Sequence, residues 1–150
     1  MTARHEVMAA LSRVVAEHDA ARKAVAYLLD RVARDPSLLR ANDPTRDDLR
    51  MCLRNLERTY LVRLFALFEE TLRDIWPTLG KKSQPKTTDL LDGCAARRKL
   101  PAATTNVLSD AHAVREFRNS IVHGAPAPVV SLAEAKSRLC KFLGWMPVSW

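Results

Sequence analysis

Apolar residues recur at spacings of three and four through two long stretches of this chain, residues 2–34 and 45–76. An α-helix turns once in about 3.6 residues, so this spacing keeps the apolar side chains on one helix face. Prolines end both stretches, with Pro36 after the first and Pro77 after the second. No segment alternates apolar and polar residues as a half-buried strand does. The pattern therefore predicts an all-α fold that begins with two long helices.

The second stretch contains a segment that is apolar on nearly every side, between Tyr60 and Phe68. A helix that is apolar all round is buried on several sides. This segment therefore predicts either the central helix of a bundle or a helix that faces both a core and a second subunit. Thr45 and Asp48 open the helix with a pattern close to a capping box.

Three further helices are predicted downstream. A short one covers residues 88–98, a longer one covers residues 105–123, and the last follows Ser131. Ser131 and Glu134 have the spacing of a full capping box. We interpret the four glycines as C-terminal caps, because each follows a segment with helical periodicity. They are Gly80, Gly93, Gly124 and Gly144.

The length of 150 residues suits a single domain, residues 1–150, with a substantial core. An up-down bundle of four main helices plus a short one is the simplest packing for these elements. No run of about 18 apolar residues is present, so no membrane span is expected. The segment Met1–Glu6 lacks the apolar stretch of a secretory signal. We therefore expect a cytoplasmic protein.

The cysteine pattern fits the same compartment. Cys52, Cys94 and Cys140 are odd in number and far apart, and no Cys-x-x-Cys occurs. This spacing argues against both disulfides and a zinc site, and no nucleotide-binding glycine loop is present. We expect no metal and no cofactor. Cys52 and Cys140 fall on predicted helices and are expected to be small core fillers.

The net charge is +7, and arginine far outnumbers lysine, which favours contact with phosphate-bearing partners. Part of this charge lies between residues 79 and 101, where Lys81, Lys82, Arg97 and Arg98 are candidates for RNA binding. The alternative is an ordinary solvated loop on a basic protein that binds nothing acidic.

On a helical wheel, residues 105–123 present two neighbouring stripes. The core stripe has Val107, Val114, Phe117 and Ile121. The second, mostly polar stripe has His112, Arg115, Asn119, Val122 and His123. Arg118 lies at the boundary, so its guanidinium is expected to be partly buried and to need a carboxylate. Glu69, at the end of the apolar run on the second helix, is the preferred partner; the alternative is that the two form an ordinary structural ion pair.

His123 stands in the last turn of that helix, and Asn119 lies four residues earlier on the same face. A histidine titrates near neutral pH, so it can give or take a proton. Asn119 could orient either the imidazole or a phosphate oxygen. A single histidine at a helix end is more often structural than catalytic, so the functional interpretation depends on its neighbours.

The segment Glu116–Gly124, EFRNSIVHG, resembles the signature of HEPN domains, which are all-α domains with an Arg-x(4–6)-His motif. In that family a polar residue commonly follows the arginine, as Asn119 does here. The run Tyr60–Glu70 resembles the family's central helix, which often carries an acidic residue. The segment 131–147 is similar to the closing helices of bacterial members. Residues 1–59 match only in being helical.

The resemblance implies a metal-independent endoribonuclease. By this resemblance His123 handles the proton of the attacking 2′-hydroxyl or of the leaving oxygen, Arg118 stabilises charge on the phosphate, and Asn119 positions it. Glu69 and Arg115 are expected to support the motif. Family members usually dimerise so that two motifs face one cleft, which fits a polar stripe that one subunit alone gives no obvious reason to bury.

Many family members are toxins or parts of antiviral and stress-response systems, so the resemblance implies RNA and a co-encoded antitoxin or defence protein as partners. Some toxin members carry a modified tyrosine two residues after the histidine, but this chain has Ala125 there. That mode of control is therefore not expected. Two alternatives stay open: a non-catalytic HEPN module that binds nucleic acid or protein, and a helical structural protein whose Arg118 and Glu69 form a core ion pair.

Overall fold

The computed structural model describes residues 2–80, 83, 85–99 and 105–150. These residues form five α-helices and two short 3-10 turns. The helices are α1 (Arg4–Arg34), α2 (Arg46–Ile75), α3 (Thr87–Arg97), α4 (Thr105–His123) and α5 (Leu132–Leu143), and the 3-10 turns are Pro36–Leu38 and Trp76–Leu79. Within the described residues, β-structure is limited to one bridge between Ala3 and Ser149. The predicted all-α class, with four main helices and a short one, is confirmed.

The four main helices form an up-down bundle. His18 of α1 packs edge-on against Tyr60 of α2, with 5.6 Å between the ring centroids. Arg138 of α5 approaches Asp110 of α4, with 3.7 Å between Nε and Oδ1. Because α1 also contacts α5 and α2 also contacts α4, the four helices close into a ring. The short α3 packs against α2 and α4 and so lies beside the helix that carries the motif.

One cluster of buried side chains draws on all five helices, and its centre is the second half of α2. The fully buried residues there are Leu61, Leu64, Phe65, Phe68, Leu72 and Ile75. The ring of Phe68 lies 5.8 Å from that of Phe65 and 5.8 Å from that of Phe142 on α5. α2 contacts every other helix, so the prediction of a central helix is confirmed. In the described part of the chain, no helix is both long enough and apolar enough to cross a membrane.

The outer halves of α1 and α2 extend away from this core. Residues 19–34 and 46–60 are all described, and among them only Val32 is buried. Tyr27 and Met51 are large apolar residues that are 65% and 51% exposed. These two half-helices therefore pack mainly against each other.

Both predicted capping boxes are present. The hydroxyl of Thr45 accepts the N–H of Asp48 at 3.2 Å, and Oδ2 of Asp48 accepts the N–H of Thr45 at 2.8 Å. Ser131 and Glu134 form the same reciprocal pair at the start of α5. Hydrogen bonds from the hydroxyl and the N–H of Thr45 hold the pKa of Asp48 below its ordinary value. Such local pairs fix where each helix begins.

The interpretation of Gly93 as a helix cap is wrong, because Gly93 lies inside α3. A Cβ at this position would lie 2.5 Å from the indole ring of Trp76. The glycine is therefore needed for close packing of α3 against the turn that follows α2. Gly80 and Gly124 do take the left-handed conformation of a cap, with φ of 78° and 76°.

The cysteines are free, but their burial differs from expectation. Cys52 is exposed because it lies on the outer half of α2, so its prediction as a core filler is wrong. Cys140 is half-buried and packs against the core, as expected. Cys94 of α3 is fully buried, and burial raises the pKa of its thiol to about 12.

The segment after α5 packs back on the start of the chain. The N–H of Thr2 donates to the carbonyl of Trp150 at 2.9 Å, and the N–H of Trp150 donates to the carbonyl of Thr2 at 3.1 Å. The guanidinium of Arg4 donates to the carbonyls of Gly144 and Met146, at 2.7 and 2.9 Å. These bonds tie the start of α1 to the end of α5.

Candidate functional site

α4 carries the motif, and the packing of this helix fixes where the motif lies. Val114 and Phe117 are buried in the core, so the predicted core stripe anchors one face of α4. The helix ends at His123 because Gly124 turns into the left-handed conformation. The N–H of Gly124 donates to the carbonyl of Ser120 at 2.9 Å, which closes the last turn. The motif therefore occupies the C-terminal end of α4.

Arg118 is half-buried at the edge of the core, as predicted. Its Cζ lies 5.8 Å from the centroid of the Phe65 ring, within the range of a cation–π contact. Its Nη1 donates to Oδ1 of Asn119 at 3.0 Å. Its Nε is buried and has no hydrogen-bond partner among the described residues. An aromatic ring and an amide thus position the guanidinium, and much of its donor capacity is left for a ligand.

The predicted ion pair between Arg118 and Glu69 does not form within the described structure. Glu69 instead accepts a hydrogen bond from Nη2 of Arg73 at 2.6 Å and another from the hydroxyl of Thr87 at 2.8 Å. Burial alone would raise the pKa of Glu69. The hydrogen bonds from Arg73 and Thr87, with the charges of Arg73 and Arg118, outweigh burial and lower that pKa. Arg118 therefore acts on Glu69 through its field and not through a direct ion pair.

α3 covers the N-terminal part of the polar stripe on α4. Nη1 of Arg115 donates to the hydroxyl of Thr88, and Nη2 of Arg115 lies 3.5 Å from Glu116. Nε2 of His112 lies 2.7 Å from Oδ1 of Asp92 on α3. A single subunit therefore does bury part of the stripe, which corrects the expectation that it had no reason to. No element among the described residues covers the C-terminal part of the stripe.

This C-terminal part is the open face of the motif. Asn119 is half-buried, Val122 is 49% exposed, and His123 is exposed. The imidazole of His123 makes no hydrogen bond to another described residue. Asn119 and His123 share one helix face, and Arg118 precedes His123 by a rise of about 7.5 Å along the axis. A guanidinium group and an imidazole thus stand near the same end of one helix.

Of the four basic residues proposed for RNA binding, the structure describes two, Arg97 and Arg98. Arg97 is exposed at the end of α3. Nε of Arg98 donates to the carbonyl of Trp145 at 3.0 Å, so this side chain helps to dock the C-terminal segment. Lys81 and Lys82 lie outside the described residues.

Several side chains that shape the site were not predicted from the sequence. Arg73 stands four residues after Glu69, a helix-pair spacing that could have identified it. Thr87 contacts Glu69, which is 18 positions away in sequence, and Thr88 contacts Arg115, which is 27 positions away. No local pattern signals such contacts.

Comparison with known proteins adds no relative. The chain matches no protein-family model, no curated protein and no solved structure. The functional interpretation therefore rests on the motif and on the geometry of its own residues.

Proposed function

We propose that this chain is a HEPN-type, metal-independent endoribonuclease that acts as a homodimer. The observation that carries the proposal is the state of Arg118. Its guanidinium is half-buried against Phe65 and has no carboxylate partner in the described structure. A half-buried cation without an anion is unfavourable, and a phosphate would supply the negative charge and hydrogen-bond acceptors for the accessible η N–H groups.

His123 supplies the proton chemistry in this proposal. The 2′-hydroxyl of the substrate loses its proton and attacks the adjacent phosphorus, and the bond from phosphorus to the 5′-oxygen breaks. The products are a 2′,3′-cyclic phosphate and a 5′-hydroxyl. An exposed imidazole at the end of α4 can take the first proton or give one to the leaving oxygen. Arg118 stabilises the charge on the phosphate oxygens, and the amide of Asn119 orients the guanidinium through its 3.0 Å hydrogen bond.

A second copy of the chain completes the site. In one subunit, no described residue orients the imidazole of His123, whereas efficient proton transfer needs a fixed ring. Val122, beside it, is 49% exposed. Dimerisation through the open C-terminal part of the polar stripe would cover this valine and bring two motifs to one cleft. The proposal extends to a toxin or defence effector with a co-encoded partner protein.

The same free imidazole favours one alternative, a HEPN module that binds nucleic acid without cutting it. A catalytic histidine is usually oriented by a hydrogen bond, and none is made here by the described residues. The other alternative, a core ion pair between Arg118 and Glu69, lacks its ion pair in the described structure.

The test is incubation of the purified protein with total RNA and with a structured RNA in EDTA. The His123→Ala variant should cut at least about 100-fold more slowly than the wild type, because a general acid or base contributes about that much or more. The matched control is His5→Ala, which removes another exposed histidine, at the start of α1. The control should retain wild-type activity.

End-group analysis and oligomeric state complete the test. Cleaved RNA should carry a 2′,3′-cyclic phosphate, and sedimentation should show a dimer. If neither the wild type nor His5→Ala cuts any RNA, or if His123→Ala cuts as fast as both, the nuclease assignment fails. Salt-sensitive RNA binding without cleavage would then favour the binding module.

A further inference from the structure

An arginine ladder runs along the outer half of α2. Arg46, Arg50, Arg54 and Arg58 follow one another at intervals of four residues, and all four are exposed. Residues four apart form one inclined ridge on a helix surface. The three intervals advance about 18 Å along the helix axis, at about 6 Å per interval. The guanidinium groups are thus spaced regularly along one ridge.

Two of the three acidic residues of the same segment, Asp48 and Glu57, bind groups other than the arginines of the ladder. Asp48 is engaged in the capping box with Thr45. Glu57 accepts the backbone N–H of Leu132 at 3.0 Å and so caps the start of α5. Asp47 pairs with Arg50 at 2.8 Å, in an exposed ion pair of low strength. Among the described residues, the other three arginines of the ladder form no ion pair.

The ladder leads to the helix that carries the motif. Arg54, Glu57 and Arg58 line a cavity of about 170 Å³ together with Phe117, the residue before Arg118. The other wall of this cavity is the segment between α4 and α5, residues 129–131. A chain that lies along the ladder would therefore arrive beside α4 at Phe117, next to the motif in sequence.

We propose that the arginine ladder is a track for the phosphates of single-stranded RNA, which it leads to the motif; this inference rests on the proposed function. One guanidinium group can donate two parallel hydrogen bonds to two oxygens of a phosphate, so arginine suits this task better than lysine. A step of about 6 Å per arginine is comparable with the distance between successive phosphates of an extended polynucleotide. A single small anion would use one or two of these groups, whereas a polymer uses all four.

The test measures binding in the His123→Ala background, so that no cleavage interferes. The probe is fluorescein-labelled poly(U) RNA, and the readout is fluorescence anisotropy over a series of salt concentrations. The ladder variant changes Arg46, Arg50, Arg54 and Arg58 to Gln. The control variant removes the same number of charges from exposed positions on α1 and α5. It changes Arg13, Lys23, Arg31 and Lys141 to Gln.

The ladder variant should bind on the order of 100-fold more weakly at low salt than the control variant. The slope of log K against log salt is negative, and its magnitude should be smaller by about 3 in the ladder variant. Each phosphate contact on a single strand contributes about 0.7, and the variant loses four arginines. A third variant, with Lys at the four positions, should recover part of the affinity because the charge returns. Circular dichroism should show the same helix content in all variants, because exposed helix positions tolerate Gln and Lys.

Equal affinity of the ladder and control variants would overturn the proposal. So would equally strong competition by unlabelled duplex DNA, since a track for single strands would not select it. These outcomes are independent of the proposed nuclease activity. A wild type that cuts RNA while the ladder variant binds normally would keep the nuclease and reject the ladder. If the wild type cuts no RNA but the ladder variant binds RNA more weakly than the control variant, the ladder proposal is kept and the nuclease proposal is rejected.

Discussion

The two halves of α2 belong to one uninterrupted helix but have opposite surroundings. Every buried residue of α2 lies from Leu61 onward, while residues 46–60 contribute none. The second half is the centre of the core, and the first half carries regularly spaced arginines to solvent. Helical continuity therefore says little about local stability or local chemistry. What differs is how many neighbouring elements each half touches.

The largest expected contrast between the exposed half of α2 and the buried core is in thiol reactivity. Cys52 lies on the exposed half of α2, whereas Cys94 is buried against the core and its pKa is raised to about 12. A thiol reagent should modify Cys52 rapidly in the native protein. Cys94 should react at least about 1,000-fold more slowly, because it requires an opening of the core. Mass spectrometry of the labelled peptides at successive times measures both rates, and similar rates would contradict the contrast in burial.

The second contrast is in stability. Phe68→Ala should lower the free energy of unfolding by about 3–5 kcal/mol, because it removes a fully buried ring that contacts Phe65 and Phe142. Met51→Ala, in the exposed half, should change it by no more than about 0.5 kcal/mol. Urea unfolding followed by circular dichroism measures both. Comparable losses for the two variants would show that the outer half of α2 is packed against something further.

A smaller effect is expected at Glu69, the acidic residue within the buried half. Its pKa is lowered in the folded state, so its stabilising effect is complete above the unfolded value of about 4.3 and is lost as the pH falls through the folded value. Glu69→Gln should therefore cost about 1–3 kcal/mol at neutral pH, from weakened bonds to Arg73 and Thr87. The difference from wild type should shrink below about pH 4.

Urea unfolding at neutral and at acidic pH tests this, with Glu70→Gln as the exposed control one position along. A loss that is the same at both pH values would mean that the charge of Glu69 does not matter.

Local signals in the sequence were sufficient for the helices and for the motif's position. The bounds of α4 follow from its periodicity and from Gly124, and Arg118 is half-buried at the edge of the core stripe as the helical wheel predicts. The capping boxes at Thr45 and Ser131 depend only on residues three apart. Each of these predictions involves a single helix and its ends.

Predictions that needed the relation between helices were less accurate. The partner of Arg118 could not be deduced, because the periodicity gives the direction of a side chain but not which element meets it. α3 brings Thr87 to Glu69, and Arg73 takes the ion pair. In the same way, Gly93 looked like a cap because nothing local reveals that Trp76 packs against it. Whether the motif cuts RNA stays a prediction.

The bonds from Arg4 to the carbonyls of Gly144 and Met146 have a consequence for the order of folding. They join positions that are 140 and 142 residues apart in sequence. Closing so long a loop loses more chain entropy than pairing α1 with α2 or α4 with α5. Those two helical hairpins should therefore form early, and the ring of helices should close last, when α1 meets α5.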